Sequence, residues 1–225
     1  MFSNLGYPEY WILDVAVDRI PPIRTLNELE AEEEYGYRKG HGLDRTALVE
    51  VLNNLFDEWY IQALVERQVT HGSVSMCLDN LIQIDVPSKS EIAEILDGDG
   101  TICYCMTQLG AAIWETMSKP NWDLYAYGGL CFDPLEFETT GGFSELEGNA
   151  ANRQCLEGLL EKEDFVRHIV PESISWVRES PWNALYWKTL PESWTLRFKT
   201  RGVLSGESSD LLVANNNWYT NPFEA

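Results

Sequence analysis

Between Thr46 and Trp59 the apolar residues Leu48, Leu52, Leu55, Phe56 and Trp59 recur at i, i+4, i+7, i+8 and i+11. That spacing lines them along one face of an α-helix and commits the face to a core. Asp44 stands where the helix needs an N-cap, with a carboxylate suited to the first unpaired backbone N–H groups. Ile61-Gln62-Ala63-Leu64-Val65-Glu66 follows at once and reads as a strand. A capped amphipathic helix running into a strand must find both a helical core and a pairing partner nearby.

The flanking segments supply both. Pro8–Asp18 reads as a helix with Trp11, Ile12, Val15 and Ala16 on its apolar stripe, stopped by Pro21-Pro22. Thr25, with Glu28 three residues on, has the form of a capping box for a second helix that carries the acidic run Glu30–Glu34. Residues 67–100 form a long excursion. It holds a second capping box, Ser88 with Glu91, ahead of the apolar Ile92, Ile95 and Leu96. Thr101–Met106 alternates as a returning strand, on which Cys103 and Cys105 share a side. Thr107 then caps a helix whose expected apolar side is Leu109, Ile113 and Met117, ended by Pro120.

The motifs in this half resemble one family. Leu48 to Ile61 resembles the third helix of the winged helix-turn-helix family running into its first wing strand. Tyr104-Cys105-Met106-Thr107-Gln108-Leu109-Gly110 resembles that family's aromatic-x-Leu-Thr-x-x-Gly strand-to-helix junction, with Met106 where Leu is usual. The resemblance covers about residues 8–120, and the excursion between the wing strands is much longer than a simple wing. It implies a winged-helix fold whose third helix enters the DNA major groove while the wing touches backbone.

Charge argues against that use. The chain of 225 residues carries 16 Lys plus Arg against 36 Asp plus Glu, a net charge of −20. Residues 25–58 hold nine acids and three bases, and residues 67–101 hold six acids and two bases. Surfaces meant to meet phosphate need Lys and Arg, and these have the opposite sign. Nucleic acid and anionic membrane are therefore unfavoured partners, and a protein partner is expected instead.

The second half is read from its aromatics. Five of the nine tryptophans (Trp176, Trp182, Trp187, Trp194 and Trp218) fall within residues 176–218. Residues 121–150 contain six acids, no Lys or Arg and scattered glycines, and read as a boundary region. Asn152–Glu163 reads as a helix, and Ile174–Glu179, Ala184–Thr189 and Trp194–Arg201 as strands. On the last of these, Trp194, Leu196 and Phe198 alternate with Thr195, Arg197, Lys199 and Arg201, giving a core face and a basic stripe. Trp187, Lys188, Arg197, Lys199 and Arg201 are the candidate partner-binding residues, since Trp and Arg are common hot-spot types.

The expected class is α+β: a winged-helix-like domain over 1–127, a small antiparallel sheet with a helix over 128–201, and a tail or docked arm over 202–225. There is no Walker loop, Gly-x-Gly-x-x-Gly or His-Glu-x-x-His. Gly202-Val203-Leu204-Ser205-Gly206 misses a nucleophile elbow by one residue, and Asp97-Gly98-Asp99-Gly100 lacks the ligands of a calcium loop. The five cysteines (77, 103, 105, 131 and 155) and isolated His41, His71 and His168 match no metal pattern. No cofactor or metal is expected. The first 22 residues do not form a signal peptide and no run suits a membrane span, so a cytoplasmic protein with reduced thiols is expected.

The leading functional expectation is a non-enzymatic protein–protein interaction or regulatory module. One alternative is a winged-helix transcription regulator, acting as a homodimer that presents Arg38, Lys39 and Arg45 to DNA. Another is an immunity or DNA-mimic inhibitor of a basic target. A third is an enzyme with a site between the halves.

Overall fold

The computed structural model describes residues 5–27, 40–66, 81–98, 102–131, 143–160, 169–201 and 218–223. Its described elements are mixed helix and sheet, with five α-helices and three sheets, so the chain is α+β. It divides into two compact units. One comprises residues 1–117 with 185–187 and 222–225, and the other comprises 118–184 with 188–221. The expected boundary at 127/128 falls inside a strand, and the units instead divide after Met117.

The first unit opens with α1 (Tyr7–Val15), with Pro8 in its first turn, where a missing N–H costs nothing. The helix is buried from Tyr10 to Val15, so it lies inside the unit and not on its surface. A buried helix end must find donors for its last carbonyls. Distant aromatics supply them. Tyr104 Oη donates to Ile12 O at 2.9 Å, Tyr186 Oη to Ala16 O at 2.6 Å, and Trp187 Nε1 to Val17 O at 2.8 Å. Asp14, only 3% exposed, accepts at Oδ1 from Tyr10 Oη and from Trp114 Nε1. Burial of that carboxylate is thereby matched by hydrogen bonds.

Thr25 does not open a helix. It sits inside a 3-10 turn (Ile23–Asn27), where its hydroxyl donates back to Pro22 O at 2.7 Å. The acidic run that the expected second helix carries lies outside the described residues. The amphipathic helix is α2 (Arg45–Asp57), capped by the Asp44 side chain on Ala47 N at 2.9 Å. Leu48, Val49, Leu52, Leu55 and Phe56 are its buried set. Strand β1 (Ile61–Glu66) has the bounds read from sequence. It pairs antiparallel with β2 (Leu81–Gln83) and β3 (Ile102–Met106), in the order β2-β1-β3. Between them lies α3 (Lys89–Asp97), where Ser88 and Glu91 form the reciprocal capping box and Ile92, Ile95 and Leu96 are buried.

Helix α4 (Gln108–Ser118) buries Ala111, Ile113 and Trp114, while Leu109 is exposed and Met117 half-buried. Its inner face is therefore rotated from the expected one. Two contacts fix that rotation: the Trp114–Asp14 bond, and Gly110, where an added Cβ would lie 2.0 Å from the Tyr60 carbonyl oxygen.

The second unit is built on a four-stranded antiparallel sheet of order β4-β5-β9-β6. Its strands are β4 (Ala126–Cys131), β5 (Phe143–Ala150), β6 (Ile169–Glu179) and β9 (Ser193–Arg201). The expected boundary region 121–150 thus supplies two of the strands, paired from Ala126↔Ala150 to Cys131↔Glu145. Helix α5 (Arg153–Leu160) packs Leu156 onto Ala150, Leu196 and Phe198. Residues 184–189, expected as one strand, are broken by a turn at Tyr186–Trp187 into β7 (Trp182–Leu185) and β8 (Lys188–Leu190). The turn is what carries Tyr186 and Trp187 to the α1 carbonyls. Of the expected tail, residues 218–223 are described, and Trp218 is buried.

Candidate functional site

The junction between α2 and β1 sets out an exposed aromatic among the described residues of the first unit. The 3.6-residue period would bury Trp59, but α2 ends at Asp57 and Trp59 adopts φ +59. A bulky residue in this left-handed region is rare and strained. The turn directs Tyr60 into the core and leaves Trp59 58% exposed.

Thr107 holds the turn from the other side. Its hydroxyl donates to Trp59 O and accepts from Gly110 N at 3.2 Å, while Thr107 N donates to Tyr60 O at 3.0 Å. The Thr-x-x-Gly junction is therefore a lock. Threonine caps α4 and ties the preceding turn, and glycine admits the Tyr60 carbonyl. The lock brings the first turn of α4, with Leu109 43% exposed, to the Trp59 turn. Asp57 and Glu58, both exposed, precede Trp59 directly. The sequence signal for this site was the adjacent Trp59-Tyr60 pair, since two neighbouring aromatics at a helix-to-strand junction cannot both follow the buried face.

Among the described residues, Arg45 and Lys89 of this unit are already engaged. Arg45 Nε donates to Asp97 Oδ1 at 2.9 Å, and its Nη2 donates to Ala93 O at 2.8 Å and to Asp97 Oδ2. Those bonds tie the start of α2 to the last turn of α3. Lys89 pairs with Glu50. Arg38 and Lys39 lie outside the described residues.

The expected partner-binding residues Trp187, Lys188, Arg197, Lys199 and Arg201 are divided between the two units. Trp187 is 7% exposed and belongs to the first unit, where it packs edge-on against Trp114 with ring centroids 6.0 Å apart. Lys188, in the second unit, lies 4.8 Å from the Trp122 ring. Along β9, Leu196 and Phe198 are buried as the alternation requires. Arg197 is exposed and pairs with Glu147, its cross-strand neighbour on β5. Lys199 is half-buried, its backbone N–H donating to Ser173 Oγ at 2.7 Å, and Arg201 is exposed. Thr195, assigned to the basic face, is buried and donates to Asn149 Oδ1 at 2.6 Å. Trp194 and Trp176 are half-buried and carry the Arg153 guanidinium at 5.4 and 4.4 Å, while Arg153 Nε bonds Glu157 at 2.8 Å.

His41 and Cys105 have structural partners. His41 Nδ1 accepts from Leu43 N at 3.0 Å, so a neutral ring carries its proton on Nε2, 2.8 Å from Leu26 O. Cys103 and Cys105 are buried, and burial pushes the Cys105 thiol up to about 11 against a hydrogen bond from Gln62. A protonated thiol of that kind is a poor nucleophile and metal ligand. Among the described residues, no group of three or more His, Cys, Asp or Glu is placed to hold a metal ion. No described helix is long and apolar enough to cross a membrane. Comparison with models of known protein families, with curated proteins and with solved structures finds no match.

Proposed function

We propose that this protein is an acidic protein-binding module, and that its first unit is a winged-helix variant turned from nucleic acid to a basic protein partner. The order helix, 3-10 turn, helix, strand, excursion, strand, helix supports the winged-helix reading, with β1 and β3 paired antiparallel. The observation that carries the functional reading is Trp59. A tryptophan 58% exposed in a left-handed turn that Thr107 locks sits directly after two exposed acids. Exposed tryptophan beside a charged rim is the composition of an interaction hot spot. The Arg45–Asp97 pair favours the same reading, because it spends on α3 a base that a DNA-reading helix would turn to phosphate.

The test is affinity capture from the source organism with the wild-type chain, Trp59→Ala and Glu58→Lys. The expected result is one stoichiometric basic partner, retained by the wild type and lost by at least tenfold in both variants while their melts stay unchanged. Duplex DNA should show no shift at ~0.15 M salt, because few bases are available to release counterions. A micromolar gel shift with a steep salt slope would overturn the proposal in favour of a regulator using Arg38, Lys39 and Arg45.

A further inference from the structure

We propose that the second unit contains a binding slot for a tryptophan-bearing extended peptide, filled in cis by the chain's own residues Trp218–Asn221. Trp218 is 4% exposed. Its ring lies 4.7 Å from Tyr125, edge to face, and 5.0 Å from Trp122. Trp182 backs Tyr125 at 5.9 Å, and Tyr125 Oη donates to Ala184 O at 3.3 Å, so the wall is held from behind. The slot also reads backbone. Asn121 N donates to Trp218 O at 2.6 Å, and Thr220 N donates to Ser118 O at 3.1 Å. A donor and an acceptor on the slot thus meet an acceptor and a donor two residues apart on the arm, the pattern by which an extended peptide is held.

The arm is attached in the manner of a ligand. It joins none of the three sheets. Its buried anchor Trp218 is followed by a half-buried Tyr219 and an exposed Thr220, and beyond it Phe223 packs against Tyr7 and Tyr10. Short segments that lie outside the sheets can open locally below the free energy of global unfolding. Tryptophan is also the residue type that most often concentrates binding energy in a single pocket. Opening would present an aromatic slot with preset backbone partners to any chain carrying a similar Trp.

The experiment uses the full-length protein and a fluorescein-labelled peptide of residues 215–221, read by anisotropy. Trp218→Ala removes the cis anchor, and Thr220→Pro removes the second backbone donor while keeping the tryptophan. The expected result is saturable peptide binding by both folded variants, at least tenfold tighter than by wild type, and abolished when the peptide's Trp is replaced by Ala. The proposal is overturned if the folded variants bind no better than wild type. It is equally overturned if both variants lose their cooperative melt, since the arm would then be an inseparable part of the core.

Discussion

The two units lean on different parts of tryptophan and tyrosine. In the first, the polar tips matter. Tyr104, Tyr186 and Trp187 aim their donors at the end of α1, and Trp114 aims its donor at Asp14. In the second, the ring faces matter. Arg153 lies over Trp176 and Trp194, Lys188 over Trp122, and Trp218 is gripped by neighbouring rings. The difference follows from what each unit must satisfy. A buried helix end creates orphan carbonyls that need directional donors. An antiparallel sheet already pairs its backbone, so its aromatics are left to cover area and hold cations.

Substitutions can break that contrast. The largest effects should come from the core of the first unit. Phe56→Ala or Leu52→Ala should cost about 2–5 kcal/mol in a urea melt, through lost burial and the cavity left behind. A cost within error would mean that α2 does not bury this face. Gly110→Ala should cost about 3 kcal/mol, at the upper end of overpacking, because the clash is with the Tyr60 backbone and cannot be relieved by a rotamer.

A smaller change sharpens the comparison. Trp187→Phe keeps most of the ring but removes the donor to Val17 O, and should cost about 1–3 kcal/mol for the orphaned carbonyl. Trp176→Phe keeps a ring face beneath Arg153 and should cost under ~1 kcal/mol. Equal costs for the two would erase the distinction between tips and faces. Smaller still, Arg197→Ala should leave the melting temperature almost unchanged, since an exposed cross-strand pair contributes under about 1 kcal/mol.

At neutral pH the smallest effect is that of Cys105. Its folded thiol is raised from 9.0 to about 11, so the folded state holds a proton that the unfolded chain releases first. The stabilisation is complete below pH 9 and is lost as pH rises towards 11. Tyr186, whose hydroxyl burial also pushes upward, adds alkaline sensitivity in the same direction. Cys105→Ala should flatten the first part of an alkaline melting series, and an unchanged profile would remove Cys105 from the account.

What could be read from sequence divides along a physical line. Helices α2 and α3, their caps and strand β1 rest on local periodicity and on side chains that bond within four residues, so the sequence reveals them. Strands β4 and β5 do not announce themselves. Gly128, Gly129 and Gly148 and several acids lower their strand character, and pairing across eleven intervening residues stabilises them. Residues 184–189 keep strand alternation in the sequence, but the turn at Tyr186 and Trp187 answers a demand from α1, some 170 residues away. The candidate site was legible as a motif and misjudged in orientation. Tyr104 to Gly110 marks the junction, while the exposure of Trp59 and Leu109 depends on a left-handed turn and a helix rotation that periodicity does not encode. The sequence leaves residues 202–225 open between a tail and a docked arm, because the partners of Trp218 lie near residues 118–125.

The placement of Tyr186 and Trp187 also bears on the timing of synthesis. The first unit's continuous stretch ends at Met117, but the aromatics that close the end of α1 are translated some seventy residues later. At about 5–20 residues per second the ribosome takes roughly 4–14 s to reach them. Over that interval the nascent chain carries a hydrophobic helix whose carbonyls still await their donors. Holdase chaperones should engage it most strongly there, and release it once residue 187 has left the exit tunnel.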